Sequence, residues 1–321
     1  MSASTASATM RAIHQQQLGG PEVLELVEVP RPSPGPTEVL VRVAGAGVNP
    51  VDWKTRRGGA MLGDPPFTVG WDVAGVVEAT GGGVTRFSPG DRVFGMPRFP
   101  LEAGGYSEYV AAPSRQFAAT PEALSDIEAA AIPLAGLTAW QALIDTARLE
   151  SNQRVLIHAA AGGVGHLAVQ IAKSVGAEVI GTARSVHHDW LAQLGADQVI
   201  DYTTEDVAAA AAEVDLVLDL VGDDVGSRSL PALRDGGTLI TIPSSSDVEA
   251  LREAAAGRVR VTNMLVEPDR VGIEALADLV GDGRLRVRVA RTFPLSEAAS
   301  AHEVGERGEI GGGKLVLRPE G

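Results

Sequence analysis

At 321 residues the chain is long enough for two domains, and with 45% apolar residues it can bury a core in each. Its 27 basic and 41 acidic residues leave a net charge of −14, which argues against nucleic acid or an anionic membrane as partner. There is no cysteine, so disulfides, thiolate nucleophiles and cysteine-ligated zinc are excluded, as suits an intracellular protein.

The opening MSASTASATM lacks a basic segment ahead of an apolar run and is no secretory signal. It reads as a disordered tail over residues 1–9, with structure beginning near Met10. No apolar stretch approaches the roughly 18 residues of a membrane span, so a cytoplasmic protein is expected. The first third is made of short strands and turns. VLELVEVP, PSPGPTEVLVRVAGAGV, DVAGVVEATGGGV and PGDRVFG alternate β-branched residues with glycine and proline, as antiparallel or barrel-like sheets do. The middle is different: strands alternate with helices of about 10–15 residues, the pattern of a parallel sheet with crossover helices. Strands are predicted at 154–158, 178–182, 198–201, 216–220, 238–242 and 259–262. A helix follows in EPDRVGIEALADLVGDG, with Pro268 near its start and Gly281 near its end. The tail returns to strand, helix and strand and is expected to fold back onto the first domain. The expected division is therefore 10–123 plus 267–321 as one domain and 124–266 as the other.

VLIHAAAGGVGHLAVQIAK places glycines between a strand and a helix. That context suits the dinucleotide fingerprint G-x-G-x-x-G, read here as Ala160, Gly162 and Gly165. Gly162 would let the backbone approach a pyrophosphate and Gly165 would let helix pack on strand, with Ala161, Gly163 and Val164 completing the turn. About half an elementary charge at the helix start would face the phosphates. An NAD-preferring site carries Asp or Glu at the end of the second strand. Here that strand ends VIGTARS, with Arg184 and Ser185 where the acid would stand. One charge-assisted bond of about 1.5–3 kcal/mol favours a 2′-phosphate by roughly ten-fold or more. Tyr202, in VIDY, would add a hydroxyl from the adjacent loop. NADPH is the expected coenzyme.

Six motifs then follow in order: AGVNPVDWKTRRG, VGWDVAGVVEATGGGVTRFSPGDRVFG, AAIPLAGLTAWQAL, IHAAAGGVGHLAVQIAKSVGAEVIGTA, LGADQVIDY and GGGKLVL. With them the chain resembles the medium-chain dehydrogenase/reductase superfamily, in its zinc-free quinone oxidoreductase (zeta-crystallin-like) branch. The resemblance implies an α/β protein: a GroES-like β-barrel domain built from both chain ends, and a Rossmann doubly wound parallel-sheet domain in the middle. It further implies an active site in the cleft between them, NADPH as cofactor and a homodimer. By family position Thr138 would lie near the nicotinamide, with Leu220, Val221 and Gly222 and with Ile242, Pro243 and Ser244 after the fourth and fifth strands. Gly313 and Lys314 would approach the coenzyme from the other domain. The zinc-dependent alcohol dehydrogenases of the superfamily have a cysteine where this chain has Asn49, and a His-Glu pair where it has Trp71-Asp72. The six histidines form no ligand-spaced cluster, so no metal is expected.

Without a Lewis acid, hydride addition to a conjugated acceptor is favoured, because the enolate it leaves is delocalised and hydrogen bonds can hold its charge. The expected substrates are thus quinones and α,β-unsaturated carbonyls. Candidate catalytic residues lie in NPVDWK. Pro50 holds Asn49 extended, with its amide toward substrate or nicotinamide. Lys54 would sit near the developing oxyanion, and Asp52 would orient Lys54 or carry the ribose. Against this, Asn49 would merely cap the following helix and Asp52 and Lys54 would form an exposed pair on its first turn. Tyr106 is another candidate cleft residue; His158 reads as structural and Lys173 as serving its helix C-terminus. Two other functions compete: an NADPH-binding structural or regulatory protein with little turnover, and a trans-acting enoyl reductase on carrier-bound substrates, which would want a basic docking patch.

Overall fold

Alternating β-branched and small residues make the first third of the chain a set of antiparallel strands. In the computed structural model, which describes residues 8–319, β1 (Thr9–His14) pairs with β2 (Glu25–Pro30) as a two-stranded sheet. Residues 1–7 of the expected tail lie outside the described residues. Thr9 already pairs with Pro30, so the strand begins inside the segment read as tail. β3 (Glu38–Val48) is the organising strand of a second sheet and is followed by α1 (Pro50–Gly58) and β4 (Asp72–Thr80). β5 (Arg92–Gly95), β6 (Tyr109–Pro113) and β7 (Phe117–Ala119) follow. β3 pairs with both β4 and β6, and its register against β4 shifts at two points. Such bulges bend a strand, which lets this one serve several neighbours. Val39, Val41, Val43, Val73, Val93 and Phe117 are wholly buried between the strands.

The helix α2 (Asp126–Ala130) has a capping box: Ser125 Oγ accepts the Glu128 N–H at 3.2 Å and the Glu128 carboxylate accepts the Ser125 N–H at 2.9 Å. It packs against β3 so closely that a Cβ on Gly45 would stand 2.9 Å from that of Ala130. Contacts accordingly group the described residues through Leu134 in the first unit, and the division falls within α3 (Pro133–Trp140).

The second unit, Ala135–Val266 with Asp282–Arg286, holds six parallel strands. They are β8 (Arg154–Ile157), β9 (Glu178–Thr182), β10 (Gln198–Ile200), β11 (Val214–Asp219), β12 (Leu233–Thr241) and β13 (Arg260–Asn263). Their order, β10-β9-β8-β11-β12-β13, is that of a doubly wound nucleotide-binding sheet. Helices cover both faces, which explains the continuous apolar runs: Val155, Leu156, Ile157, Val179, Ile180, Leu239 and Ile240 are fully buried. α4 (Gly165–Ser174) joins β8 to β9. Four strands, β8, β10, β11 and β12, end one residue before the sequence prediction, leaving His158, Asp201, Leu220 and Ile242 just beyond them.

β14 (Val289–Pro294) and β15 (Lys314–Arg318) return to the first unit, where β15 lies antiparallel to β3 and parallel to β14. Both ends of the chain thus build the GroES-like sheet. No helix among the described residues is long and apolar enough to cross a membrane.

Candidate active site

β8 runs into a tight turn and then α4. A Cβ at Gly165 would fall 2.3 Å from the Ala159 carbonyl oxygen and 2.7 Å from the Ala160 Cα, so only glycine lets the helix start this close to the strand. Ala160, standing where the fingerprint has its first glycine, is wholly buried with its Cβ against Gly181 of β9. A Cβ on Gly181 would lie 2.8 Å away, so the small residue has been moved from the turn to the facing strand. The buried His166 ring donates from Nδ1 to the Gly162 carbonyl at 2.9 Å and braces the turn. Ala161, Gly163 and Val164 make the turn that leads into α4 at Gly165, and the backbone N–H groups of such a turn at a helix start suit a pyrophosphate.

The neighbouring strand ends supply the rest of this face. Arg184 and Ser185 are exposed, and Arg184 Nε donates to the Tyr202 hydroxyl at 3.3 Å. The structure thus brings together the pair read from sequence. The segments after β11 and β12 are tied by Asp219, which is fully buried. Its Oδ1 accepts the N–H groups of Val221 and Gly222 at 2.9 and 3.0 Å, and its Oδ2 accepts the Thr241 hydroxyl at 3.0 Å. Leu220 and Ile242 flank this anchor; Gly222, at φ 87°, lies so near Pro243 that a Cβ would be 2.9 Å from its side chain. Ser244 is exposed, and Thr138 is buried on α3. His158 has the structural role expected. Its Nε2–H reaches Ser229 Oγ at 2.8 Å, Thr182 donates to its Nδ1 at 3.3 Å, and burial lowers its pKa to about 4.

In the first unit, Lys314 is neither solvated nor free. It is 3% exposed, and its ammonium donates to Val48 O at 3.0 Å, to Asn49 Oδ1, and to Asp72 Oδ2 at 3.4 Å. Asp72, wholly buried, also accepts Asn49 Nδ2–H at 2.8 Å and the Leu134 N–H at 2.6 Å. The Asn49 amide is therefore fixed in one orientation, oxygen to Lys314 and nitrogen to Asp72. Gly313, at φ 84°, lets the chain approach β14: a Cβ there would be 2.3 Å from the Arg288 carbonyl oxygen.

Residues 35–122 match the alcohol dehydrogenase GroES-like domain family, and residues 194–317 match the zinc-binding dehydrogenase family. A 2-haloacrylate reductase from Burkholderia sp is 36% identical over 334 residues, covering 96% of this chain and 98% of the relative. The solved quinone oxidoreductase from Coxiella burnetii is 39% identical with a TM-score of 0.90, covering 97% of this chain and 99% of that one. The chain belongs to the quinone oxidoreductase branch of the medium-chain dehydrogenase/reductase superfamily. The Escherichia coli quinone oxidoreductase solved in complex with NADPH is 31% identical with a TM-score of 0.86, covering 97% of this chain and 100% of that one. One family name mentions zinc, and the side chains of this quinone oxidoreductase homologue do not fit that ion. Among the described residues no three His, Cys, Asp or Glu side chains converge on a metal position. Asn49 Oδ1 and Asp72 Oδ2 already accept from the Lys314 ammonium, and Asp72 Oδ1 accepts from the Leu134 N–H.

Asp52 and Lys54 are not brought together in this quinone oxidoreductase homologue. Lys54 is exposed, whereas Asp52 is fully buried. Two residues apart on α1, they lie on different faces, so the expected pair does not form. Asn49 has the extended backbone that Pro50 demands, at φ −133° and ψ 157°. Asn49 stands at the N-cap of α1 in a capping box with Asp52, whose Oδ2 accepts the Asn49 N–H at 2.7 Å and the Tyr106 O–H at 2.9 Å. Tyr106 is wholly buried rather than a cleft residue, and burial raises its pKa well above the usual value, so it stays a phenol. Beyond it lie His302 Nε2 at 3.1 Å and, from His302 Nδ1, the Arg56 guanidinium at 3.1 Å. Arg56 pairs with Glu306 at 2.8 Å. Arginine can only donate, which fixes the direction of the chain: Arg56 to His302, His302 to Tyr106, Tyr106 to Asp52. His302 is held neutral, with burial and the Arg56 charge lowering its pKa to about 3. Burial pushes the Asp52 carboxyl up to about 7, outweighing its two donors. Asp72, Asp219 and this chain escaped the sequence reading, although a lone carboxylate in the apolar runs VGWDVAG and VLDLVG is itself a signal, since a buried charge needs partners.

Proposed function

We propose that the chain is an NADPH-dependent oxidoreductase that transfers hydride to a quinone or an α,β-unsaturated carbonyl without a metal. The observation that carries this reading is the glycine turn before α4 with Arg184 and Tyr202 joined at the end of the adjacent strand. The NADPH complex of the E. coli relative and the conjugated acid in the name of the Burkholderia relative support it. When bound, the reduced coenzyme supplies the hydride. The backbone of Ala161, Gly162, Gly163, Val164 and Gly165 receives the pyrophosphate, and Arg184, Ser185 and Tyr202 receive the 2′-phosphate. Thr138 and the segments braced by Asp219 serve the nicotinamide end.

Asn49 is the residue this reading assigns to the substrate oxygen. All three Lys314 N–H groups have acceptors, on Val48, Asn49 and Asp72, so Lys314 has no donor left for substrate. The second Nδ2–H of Asn49 is the donor not used within the cluster. The adjacent ammonium polarises that amide and lowers the energy of negative charge developing beside it. Asp52 acts through the Asn49 backbone, not by pairing with Lys54. The chain works in this reading as a cytoplasmic homodimer on small molecules.

The test is coenzyme oxidation with a quinone panel, an enone and 2-haloacrylate panel, and carrier-bound enoyl substrates, before and after exhaustive chelation. Turnover with the first two, unchanged by chelation, supports the proposal. Tight NADPH binding with no turnover on any acceptor replaces it with a binding protein, and loss on chelation ends the metal-free reading.

A further inference from the structure

The end of β9 supplies no acid of its own, yet the structure delivers one there from the next strand. Asp201 follows β10 directly, and its Oδ2 accepts the Ser185 N–H at 3.0 Å. Its Oδ1 accepts the Thr203 N–H at 3.0 Å and the Thr203 hydroxyl at 2.6 Å, and its own N–H is held by Glu205 at 2.8 Å. The Thr203 bonds, with those from Ser185, hold the carboxyl below the usual aspartate range, so it is charged at neutral pH. Arg184, joined to Tyr202, stands next to Ser185 and has no ion pair among the described residues. One short stretch of surface therefore carries a guanidinium and a phenol hydroxyl together with a carboxylate that already occupies the Ser185 N–H.

The two coenzymes meet these groups differently. A 2′-phosphate carries up to two negative charges near pH 7. It gains from Arg184, Tyr202 and Ser185, but it must approach Asp201 and compete with it for the Ser185 N–H. A 2′-hydroxyl can donate to a carboxylate, the role an acid has in NAD-preferring sites. We propose that Asp201 is a specificity-determining residue that narrows the preference for NADPH over NADH, so that both coenzymes serve this chain. The proposal rests on the coenzyme reading above. Repulsion between unit charges about 4 Å apart in water amounts to roughly five-fold in affinity, and a doubly charged phosphate raises that to ten-fold or more. Because the site is exposed, the effect falls as salt rises.

Asp201→Asn keeps the shape and an acceptor for the Ser185 N–H while removing the charge. Dissociation constants for NADPH and NADH, from titration of coenzyme fluorescence at low and high salt, are compared for the parent, Asp201→Asn and Arg184→Ala. Asp201→Asn should tighten NADPH by about five- to ten-fold, most at low salt, and leave NADH unchanged or weaker. Arg184→Ala should move the ratio the opposite way. If Arg184→Ala lowers the NADPH-to-NADH preference and Asp201→Asn leaves it alone, the role of Asp201 is overturned and the coenzyme site stands. If neither variant changes the ratio, the 2′-position is not bound at this loop and both readings fall.

Discussion

Replacing Asp52 by Asn should change how stability depends on pH. The Asp52 carboxyl lies at about 7 in the folded chain against an ordinary 3.8, chiefly because it is buried. A carboxyl that holds its proton more tightly when folded contributes stability that is fully present below its unfolded pKa. That contribution is lost as pH rises through the folded value. About three units correspond to roughly 4 kcal/mol. Asn at this position offers one oxygen to the Tyr106 O–H and the Asn49 N–H, as the protonated acid does, and it does not titrate. Between about pH 4 and about pH 8 the stability of Asp52→Asn relative to the parent should therefore rise by roughly 4 kcal/mol. His302 and His158, with pKa values lowered to about 3 and about 4, act in the opposite direction, stabilising above their ordinary pKa and losing that contribution as pH falls. They are common to both proteins and cancel in the difference. Urea unfolding of the pair across this range reads the effect. A difference that stays constant with pH would mean that burial does not raise the Asp52 carboxyl and that it is ionised throughout this range.

Lys314→Met should destabilise the first unit by about 3 kcal/mol, the low end for a broken buried pair, because Asp72 keeps the N–H donors of Leu134 and Asn49. Adding Asp72→Asn should recover most of that in thermal unfolding; no loss in the single variant would contradict the buried cluster. The same Lys314→Met should lower kcat more than it raises the KM for coenzyme, since it releases the Asn49 amide. Gly181→Ala should cost about 1–3 kcal/mol through its clash with Ala160, and Ala160→Gly in the same chain should relieve most of it. Simple additivity of the two costs would refute the exchange of small residues across the turn.

The dinucleotide fold was legible because its signals are local: an apolar strand, a glycine turn, an amphipathic helix, and the next strand. Arg184 and Tyr202 could be paired as candidates for the same reason, each standing two residues beyond the end of a strand. Asp201 was not, since its place depends on pairing. β10 lies parallel to β9 with Ile200 opposite Thr182, which sets the following aspartate beside the residues that follow β9. Lys314 was expected to approach the coenzyme, and its buried place is set by a partner the sequence does not reveal, the Val48 carbonyl 266 residues away. The Asp52–Lys54 pair failed on helix geometry alone, because α1 turns the first inward and leaves the second exposed.

A structure of the protein crystallised with NADPH measures most directly whether the turn before α4 binds this coenzyme. It should show the pyrophosphate on the backbone of Gly162, Gly163 and Val164, and the 2′-phosphate within hydrogen-bond distance of the Arg184 guanidinium and the Tyr202 hydroxyl. A turn without nucleotide at saturating NADPH, or a 2′-phosphate held elsewhere, would contradict the account.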